Sequence, residues 1–352
     1  MSDEIPTLKR PPLTVRTPDE LLALEFDDSD VILDDRLLAE SQSLVIAAQG
    51  GAGKSRLLIQ FIAAQVCGRD FLNFKTYNAG LSWLVLQTEN SNRRLQSDLV
   101  RIKRWLGDDY PAFNERVCFH TVENDSDGFV SLESVENQNA IADLIAQTDS
   151  NIVVIDPLTD VAIGDLNKDV DMRATLMPLS QICRRGDPNR AIVVLHHAVT
   201  GKSGASKAVG YDRASFARNS KALLAWTRGQ INIAPVDADS NDRLIVACGK
   251  NSNGKEFKPF AIKLNADMIY EVDATVDVDQ WQQDMAGSRD KSPSMTPERV
   301  RELCAIAGSS KSELAKAIMQ DCGCYRGSAY RYIAKAANRT IKQGKDENYF
   351  RK

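Results

Sequence analysis

The 352-residue sequence predicts an α/β protein: a mostly parallel central sheet flanked by helices, followed by a small helical C-terminal domain. Three observations carry that expectation. The apolar run 44–48 breaks into a glycine-rich turn at 49–53, and Leu57, Leu58, Phe61 and Ile62 then recur at helical spacing. Unbroken apolar runs return at 83–86, 152–155 and 191–195, each ending in polar residues, as strands buried between helix layers do. From Arg289 onward fourteen cations face seven acids, about +7, in a chain whose formal net charge is −4.

Composition narrows the class. With 43% hydrophobic and 26% charged residues the usage is that of an ordinary globular protein. Nothing approaches eighteen uninterrupted apolar residues, and Met1-Ser2-Asp3-Glu4 is acidic, so no membrane partner and no signal peptide are expected and a cytoplasmic location is. The seven cysteines are scattered without a C-x-x-C pair and there are only three histidines, which argues against a zinc site or a disulfide framework. Because the whole chain is mildly acidic, any nucleic-acid surface must be local.

The segment Gln49-Gly50-Gly51-Ala52-Gly53-Lys54-Ser55 between strand and helix reads as a phosphate cradle. Glycines let consecutive N–H groups converge on an anion, and the helix N-terminus adds its dipole. Gly50, Gly51, Ala52, Gly53, Lys54, Ser55 and Arg56 are therefore the expected nucleotide ligands; Lys54 reaches the β- and γ-phosphates and Ser55 holds Mg²⁺. Ala48 stands where the pattern has its first glycine, and would be strained by any positive φ there.

In chain order, residues 1–16 read as a flexible lead-in and 17–285 as the core. Thr17-Pro18-Asp19-Glu20 is a capping box opening a short helix over 21–24, and the first core strand is expected at 43–47. The second strand, 82–87, ends in Thr88-Glu89-Asn90. Glu89 is a candidate base that orients the attacking water, or alternatively an acid favouring the N-terminus of the next helix. In that helix Leu95, Leu99, Ile102 and Leu106 share one face, and Arg93, Arg94, Arg101 and Arg104 read as a solvated one. A strand at 117–122 and a helix near 135–145 precede Ile152-Val153-Val154-Ile155-Asp156, whose terminal acid is the candidate Mg²⁺ partner; Asp160 is a lesser candidate or a loop cap.

The strand 191–195 ends in His196-His197, either of which is a candidate γ-phosphate sensor or a histidine satisfied within the sheet. Between Thr200 and Lys221 lie Lys202, Lys207, Arg213, Arg218 and Lys221 against the single acid Asp212, with glycines and the aromatics Tyr211 and Phe216 interleaved. Mobile backbone, cations and rings are what tracks a single-stranded phosphate chain, so Lys202, Lys207, Tyr211 and Arg213 are candidate DNA contacts; a merely solvated loop is the other reading. Further strands are expected at 222–227 and 244–248. Lys250, just after the latter, sits badly for its own nucleotide but suits a neighbour's in a head-to-tail ring.

Residues 286–297 read as a linker to a module at 298–352. Ser310-Lys311-Ser312-Glu313 caps one helix. A second is expected with Ala329, Ile333, Ala337 and Ile341 buried and Arg331, Lys335, Arg339 and Lys342 exposed, after a turn longer than the tightest version. This pattern suggests a helix-turn-helix or winged-helix-like module with Arg331, Lys335 and Arg339 as candidate DNA contacts; protein docking is the alternative.

The series A-A-Q-G-G-A-G-K-S, L-V-L-Q-T-E-N, I-V-V-I-D-P-L-T, V-V-L-H-H-A, A-R-N-S-K-A-L and G-K-N-S-N-G, over roughly residues 25–270, resembles the RecA-type P-loop ATPases of the plasmid RepA replicative helicase family. The resemblance implies a RecA-like P-loop NTPase fold and a hexameric ring around single-stranded DNA with ATP between subunits. It further implies Lys54 and Ser55 as nucleotide and Mg²⁺ ligands, Glu89 as base, Asp156 as Walker B acid, and His196 or His197 as sensor. Arg218 matches the family's trans-acting arginine and Lys250 its companion cation. The C-terminal module lies outside the match. A ring-forming helicase or translocase of a plasmid, phage or other mobile element is the leading expectation, with a replication initiator or primase as candidate partner. An ATP-switched loader or partition factor and a recombinase-like filament are the alternatives.

Overall fold

A computed structural model describes residues 14–25, 28–123, 130–199, 201–217, 221–237, 239–287, 295–305, 308–322, 326–337, 339–344 and 348–352. The chain divides into two compact units, Met1–Trp281 and Gln282–Lys352.

The first unit opens with α1 (Pro18–Leu22), where Thr17 and Glu20 exchange the two bonds of a capping box. A small hairpin of β1 (Val31–Leu33) and β2 (Leu38–Ala39) leads into β3 (Ser43–Ala48), which is buried along its whole length. Then come α2 (Lys54–Val66), β4 (Trp83–Gln87), α3 (Asn92–Leu106), α4 (Tyr110–Arg116) and β5 (Val117–Phe119). The second half carries α5 (Val135–Thr148), β6 (Ile152–Asp156), α6 (Asp169–Cys183), β7 (Ala191–His197), α7 (Lys202–Ala205) and α8 (Lys221–Trp226). It ends with β8 (Gly229–Pro235), β9 (Arg243–Asn251), β10 (Phe260–Leu264) and β11 (Tyr270–Val272), and the boundary between the units falls within α9 (Val278–Gly287).

The nine-stranded sheet runs β11-β10-β9-β8-β3-β7-β6-β4-β5. From β8 to β5 every pairing is parallel, and β9–β11 extend the other end as an antiparallel meander. Strand β7 separates β3 from β6, the order of a RecA-like core. Leu44, Ile46, Ile152, Val154, Val193 and Leu195 share a core with Leu58, Phe61 and Ile62 of α2, so one face of the sheet is sealed by the helix that follows the glycine turn.

Two local expectations are corrected. Residues 222–227 were expected as a strand but lie in or just after α8, because Lys-Ala-Leu-Leu-Ala-Trp is rich in good helix formers. The strand is β8 instead. Its buried positions include Gln230 and Asn232, polar residues that break the expected apolar pattern. Helix α9 extends to Gly287, two residues into the expected linker; residues 288–294 lie outside the described chain.

The second unit contains α10 (Pro297–Leu303), α11 (Lys311–Cys322), α12 (Arg326–Ala336) and the antiparallel hairpin of β12 (Ile341–Gln343) and β13 (Tyr349–Arg351). Its core holds Val300, Leu314, Ile318, Ala329, Ile333 and Ile341. The expected last helix stops at Ala336, and Ile341 belongs to β12: the β-branched pair Thr340-Ile341 favours extended chain over another turn. Only residues 323–325 separate α11 from α12, so the interval is as short as a helix-turn-helix requires, contrary to the expectation of a longer turn. Between α10 and α11, Ser309 exchanges backbone bonds with Tyr349 of β13 at 2.9 and 2.8 Å. Three helices with a two-stranded wing, tied by one further bridge, make a winged-helix arrangement.

Candidate active site

The parallel register brings the tips of four strands to one edge. Ala48 of β3 lies opposite His197 of β7, and Gln87 of β4 opposite Asp156 of β6. Gly51 and Gly53 in the turn after β3 adopt φ of +74° and +79°, values that let their N–H groups turn inward and that a side chain would strain. Ala48 lies in the strand and is absent from the positive-φ positions, so its departure from the glycine pattern costs no backbone strain.

Lys54 is 7% exposed and its ammonium donates to the carbonyls of Ala48 and Gln49, both at 3.3 Å, folding over the turn. Burial lowers its pKa against the pull of Asp156 and Glu89. The hydroxyl of Ser55 bonds Asp156, which is 3% exposed and whose carboxyl is raised to about 6, chiefly by burial. A hydroxyl and a carboxylate side by side, next to a nest of N–H groups, fit a hard divalent cation and a polyphosphate.

Glu89 stands half-exposed in the turn after β4, its Oε1 3.8 Å from His197 Nε2. That histidine is the main reason its carboxyl titrates below the usual value. The turn is fixed: Gln87 Oε1 accepts from Asn90 N at 2.8 Å, and Thr88 N donates to Asp156 O at 3.1 Å. Thr88 also donates to Asp160 Oδ2 at 2.6 Å, which places Asp160 beside the cluster. Of the two histidines, His197 faces Glu89, whereas His196 is wholly buried in the sheet.

Three sets of contacts made by the turn were not foreseen from the sequence. Gln49 Nε2 reaches Val199 O and Gly201 O, at 3.5 and 3.3 Å, joining the glycine turn to the segment behind His197. Asn241 donates to Gly51 O at 3.3 Å. Tyr270 of β11 packs its hydroxyl so closely on Gly53 that a Cβ there would lie 2.1 Å from it, while Gln60 of α2 exchanges bonds of 2.8 and 2.9 Å with its backbone. Only the register of the late meander brings these last two to the site.

Arg56 is engaged within the protein: its Nε bonds Asp98 of α3 at 3.2 Å, and it bonds the Tyr270 phenol. Asp98, 6% exposed, also accepts from Arg94 and Arg101, at 2.9 and 3.0 Å. Two of the four arginines expected to be merely solvated thus converge on a buried acid.

The segment expected as mobile DNA-tracking backbone is instead sewn to β8. Asn232 Nδ2 donates to Ala208 O and Arg213 O, at 2.9 and 2.8 Å, and Val199 N bonds Phe216 O at 3.1 Å. Phe216 is fully buried. Arg213 pairs with Glu256 at 2.6 Å, Lys207 is half-buried, and Tyr211 is fully exposed. Lys202 begins α7. Arg218 lies outside the described residues. The Lys250 ammonium donates to Leu224 O and Thr227 O, at 2.7 and 2.8 Å, capping the C-terminus of α8 within its own chain. In the second unit Arg331, Lys335 and Arg339 are exposed.

Fold and site together define a RecA-like P-loop ATPase. The chain matches the model of the AAA domain family over residues 8–205, more than half its length, and belongs to that family. A comparison with curated proteins finds no match. Among solved structures, a KaiC-like protein from the hyperthermophilic archaeon Pyrococcus horikoshii OT3 is 14% identical over 70% of this chain and 97% of its own, with a TM-score of 0.46. The RadB recombinase is 13% identical over 66% and 91%, with a TM-score of 0.43. A third structure, an ATPase domain, is 12% identical over 66% and 85%, with a TM-score of 0.44. No described helix is long and apolar enough to cross a membrane.

Proposed function

We propose that this protein is an ATP-driven, ring-forming motor on single-stranded DNA, a helicase or translocase related to the plasmid RepA type and serving replication of a mobile element. The observation that carries the reading is the continuous path from Glu89 through His197 to the cation-bearing segment, which Gln49 also ties to the phosphate loop.

In this reading the inward N–H groups and Lys54 bind the phosphates of ATP, and Lys54 neutralises charge as the γ-phosphoryl group departs. Ser55 and Asp156 are the residues that would hold Mg²⁺, which when bound neutralises phosphate charge. Glu89, kept ionised by His197, orients the water. His197 faces that carboxylate and stands two residues before Val199 in the chain, so a change at the γ-phosphate position reaches the segment carrying Lys202, Lys207 and Tyr211. Arg218 and Lys250 act on a neighbour's nucleotide in a hexamer, and Lys250 leaves its α8 carbonyls to do so.

A second reading, an ATP-switched DNA-bound assembly factor without unwinding, is favoured by the Asn232 bonds, which hold the segment against β8, and by the Arg213–Glu256 pair, which ties it to the connection between β9 and β10. Strand displacement on a forked substrate separates the two. The wild type should unwind it in the presence of ATP. Glu89→Gln should bind ATP and lose turnover by at least about a hundredfold. ATP hydrolysis stimulated by single strands, with no displacement from any fork, would favour the switch.

A further inference from the structure

The second unit is electrically lopsided. Three of its acids are engaged around α10 and α11: Glu302 and Asp321 each bond Arg299 at 2.6 Å, and Glu313 accepts from Ser310 N at 2.9 Å. From Cys322 to Lys345, by contrast, the sequence holds six cations and no acid. That acid-free stretch is α12 and the first strand of the wing.

On α12 the buried residues are Ala329, Ile333 and Ala336. Arg331, Ala334 and Lys335 are exposed and stand at i, i+3 and i+4, a single stripe on the opposite side. The stripe continues in sequence through exposed Arg339 in the turn and exposed Lys342 on β12. The wing is held by bonds rather than left loose: Arg351 donates to Cys304 O at 2.6 Å and Thr340 to Pro297 O at 2.6 Å, which tie the hairpin to the two ends of α10.

We propose that this surface binds double-stranded DNA, with α12 in the major groove and the wing on the flanking backbone. An α-helix about 10–12 Å across fits a groove about 12 Å wide in B-form DNA, whereas the deep, narrow groove of an A-form duplex excludes it. Ala334, beside the two cations, lets the helix approach closely, and the long side chains Arg331 and Lys335 reach base edges or phosphates. Among the described residues no aromatic lies on the exposed stripe, which removes the stacking platform a single strand needs. The inference rests on the reading of these cations as nucleic-acid contacts and assigns them a duplex, leaving single strands to the first unit.

The test uses the full chain and fluorescence anisotropy with a labelled DNA duplex, the matching single strand and an RNA duplex of the same sequence. Wild type should prefer the DNA duplex to the RNA duplex. Lys335→Ala/Lys342→Ala should lower the ratio of duplex to single-strand affinity at least tenfold. It should also flatten the salt slope of duplex binding by about two units, one for each phosphate that a lysine no longer neutralises. Ala334→Glu, a change at an exposed helix position that should leave the melting curve unaltered, should abolish duplex binding. An unchanged ratio in both variants, or RNA duplex bound as tightly as DNA, overturns the proposal. A motor reading that fails shows elsewhere, as single-strand affinity indifferent to Lys207→Ala.

Discussion

Asp156 stands in a conflict between solvation and chemistry. The carboxylate is the form a divalent cation requires, yet burial raises its pKa to about 6. Because the folded pKa lies above the unfolded one, the contribution of this group to stability is greatest below about pH 4 and is lost as pH rises through about 6. A shift of that size corresponds to about 3 kcal/mol. In chelator, Asp156→Asn should therefore be more stable than wild type at about pH 8, by up to ~3 kcal/mol, with the two converging towards pH 4. The same variant should lose turnover. Denaturant unfolding at the two pH values measures it, and curves equally separated at both would remove burial of this carboxyl as the cause.

At the scale of elements, Asp98 holds α3 to α2 through Arg56, while Arg94 and Arg101 of its own helix complete the cluster. Helix α3 begins just after Glu89 and α2 just after the phosphate loop, so the Arg56–Asp98 pair links the helices that follow these two turns. Asp98→Ala leaves three guanidinium groups facing one another, and that of Arg56 is 11% exposed. Breaking a buried ion pair from one side costs about 3–5 kcal/mol, and the part-exposed partners reduce this towards the lower figure. The denaturation midpoint should fall accordingly. A loss under about 1 kcal/mol would show the cluster to be screened by solvent. Lys250 belongs to this scale as well: its two bonds to the end of α8 keep it from any nucleotide, and a role in trans requires it to exchange carbonyls for phosphate.

For the whole molecule, a ring with sites between subunits has a mixing signature. Arg218→Ala and Lys54→Ala should each be inactive alone, and a mixture should recover a fraction of the ATPase, because some interfaces pair an intact Lys54 with an intact Arg218. Mixed oligomers that stay inactive at every ratio would place Arg218 outside the neighbour's site.

The phosphate turn, the strand-end acids, the buried parallel strands and the basic final segment are all legible in the order of residues. Each rests on local pattern: glycines that permit positive φ, and apolar runs with an abrupt polar end. Distant contacts were decided by the tertiary structure. Tyr270 meets Gly53 because the antiparallel meander returns the chain to α2. Asn232 is buried because its amide satisfies the backbone of 208–213, and that made β8 illegible to a search for apolar strands. Arg94 and Arg101 read as solvated because their partner Asp98 looked like one more polar position on a helix; burying it needed α2 alongside. The wing was hidden for a related reason. Ile341 continues the helical spacing of Ala329, Ile333 and Ala337, and only its pairing with Arg351 across the hairpin makes it a strand.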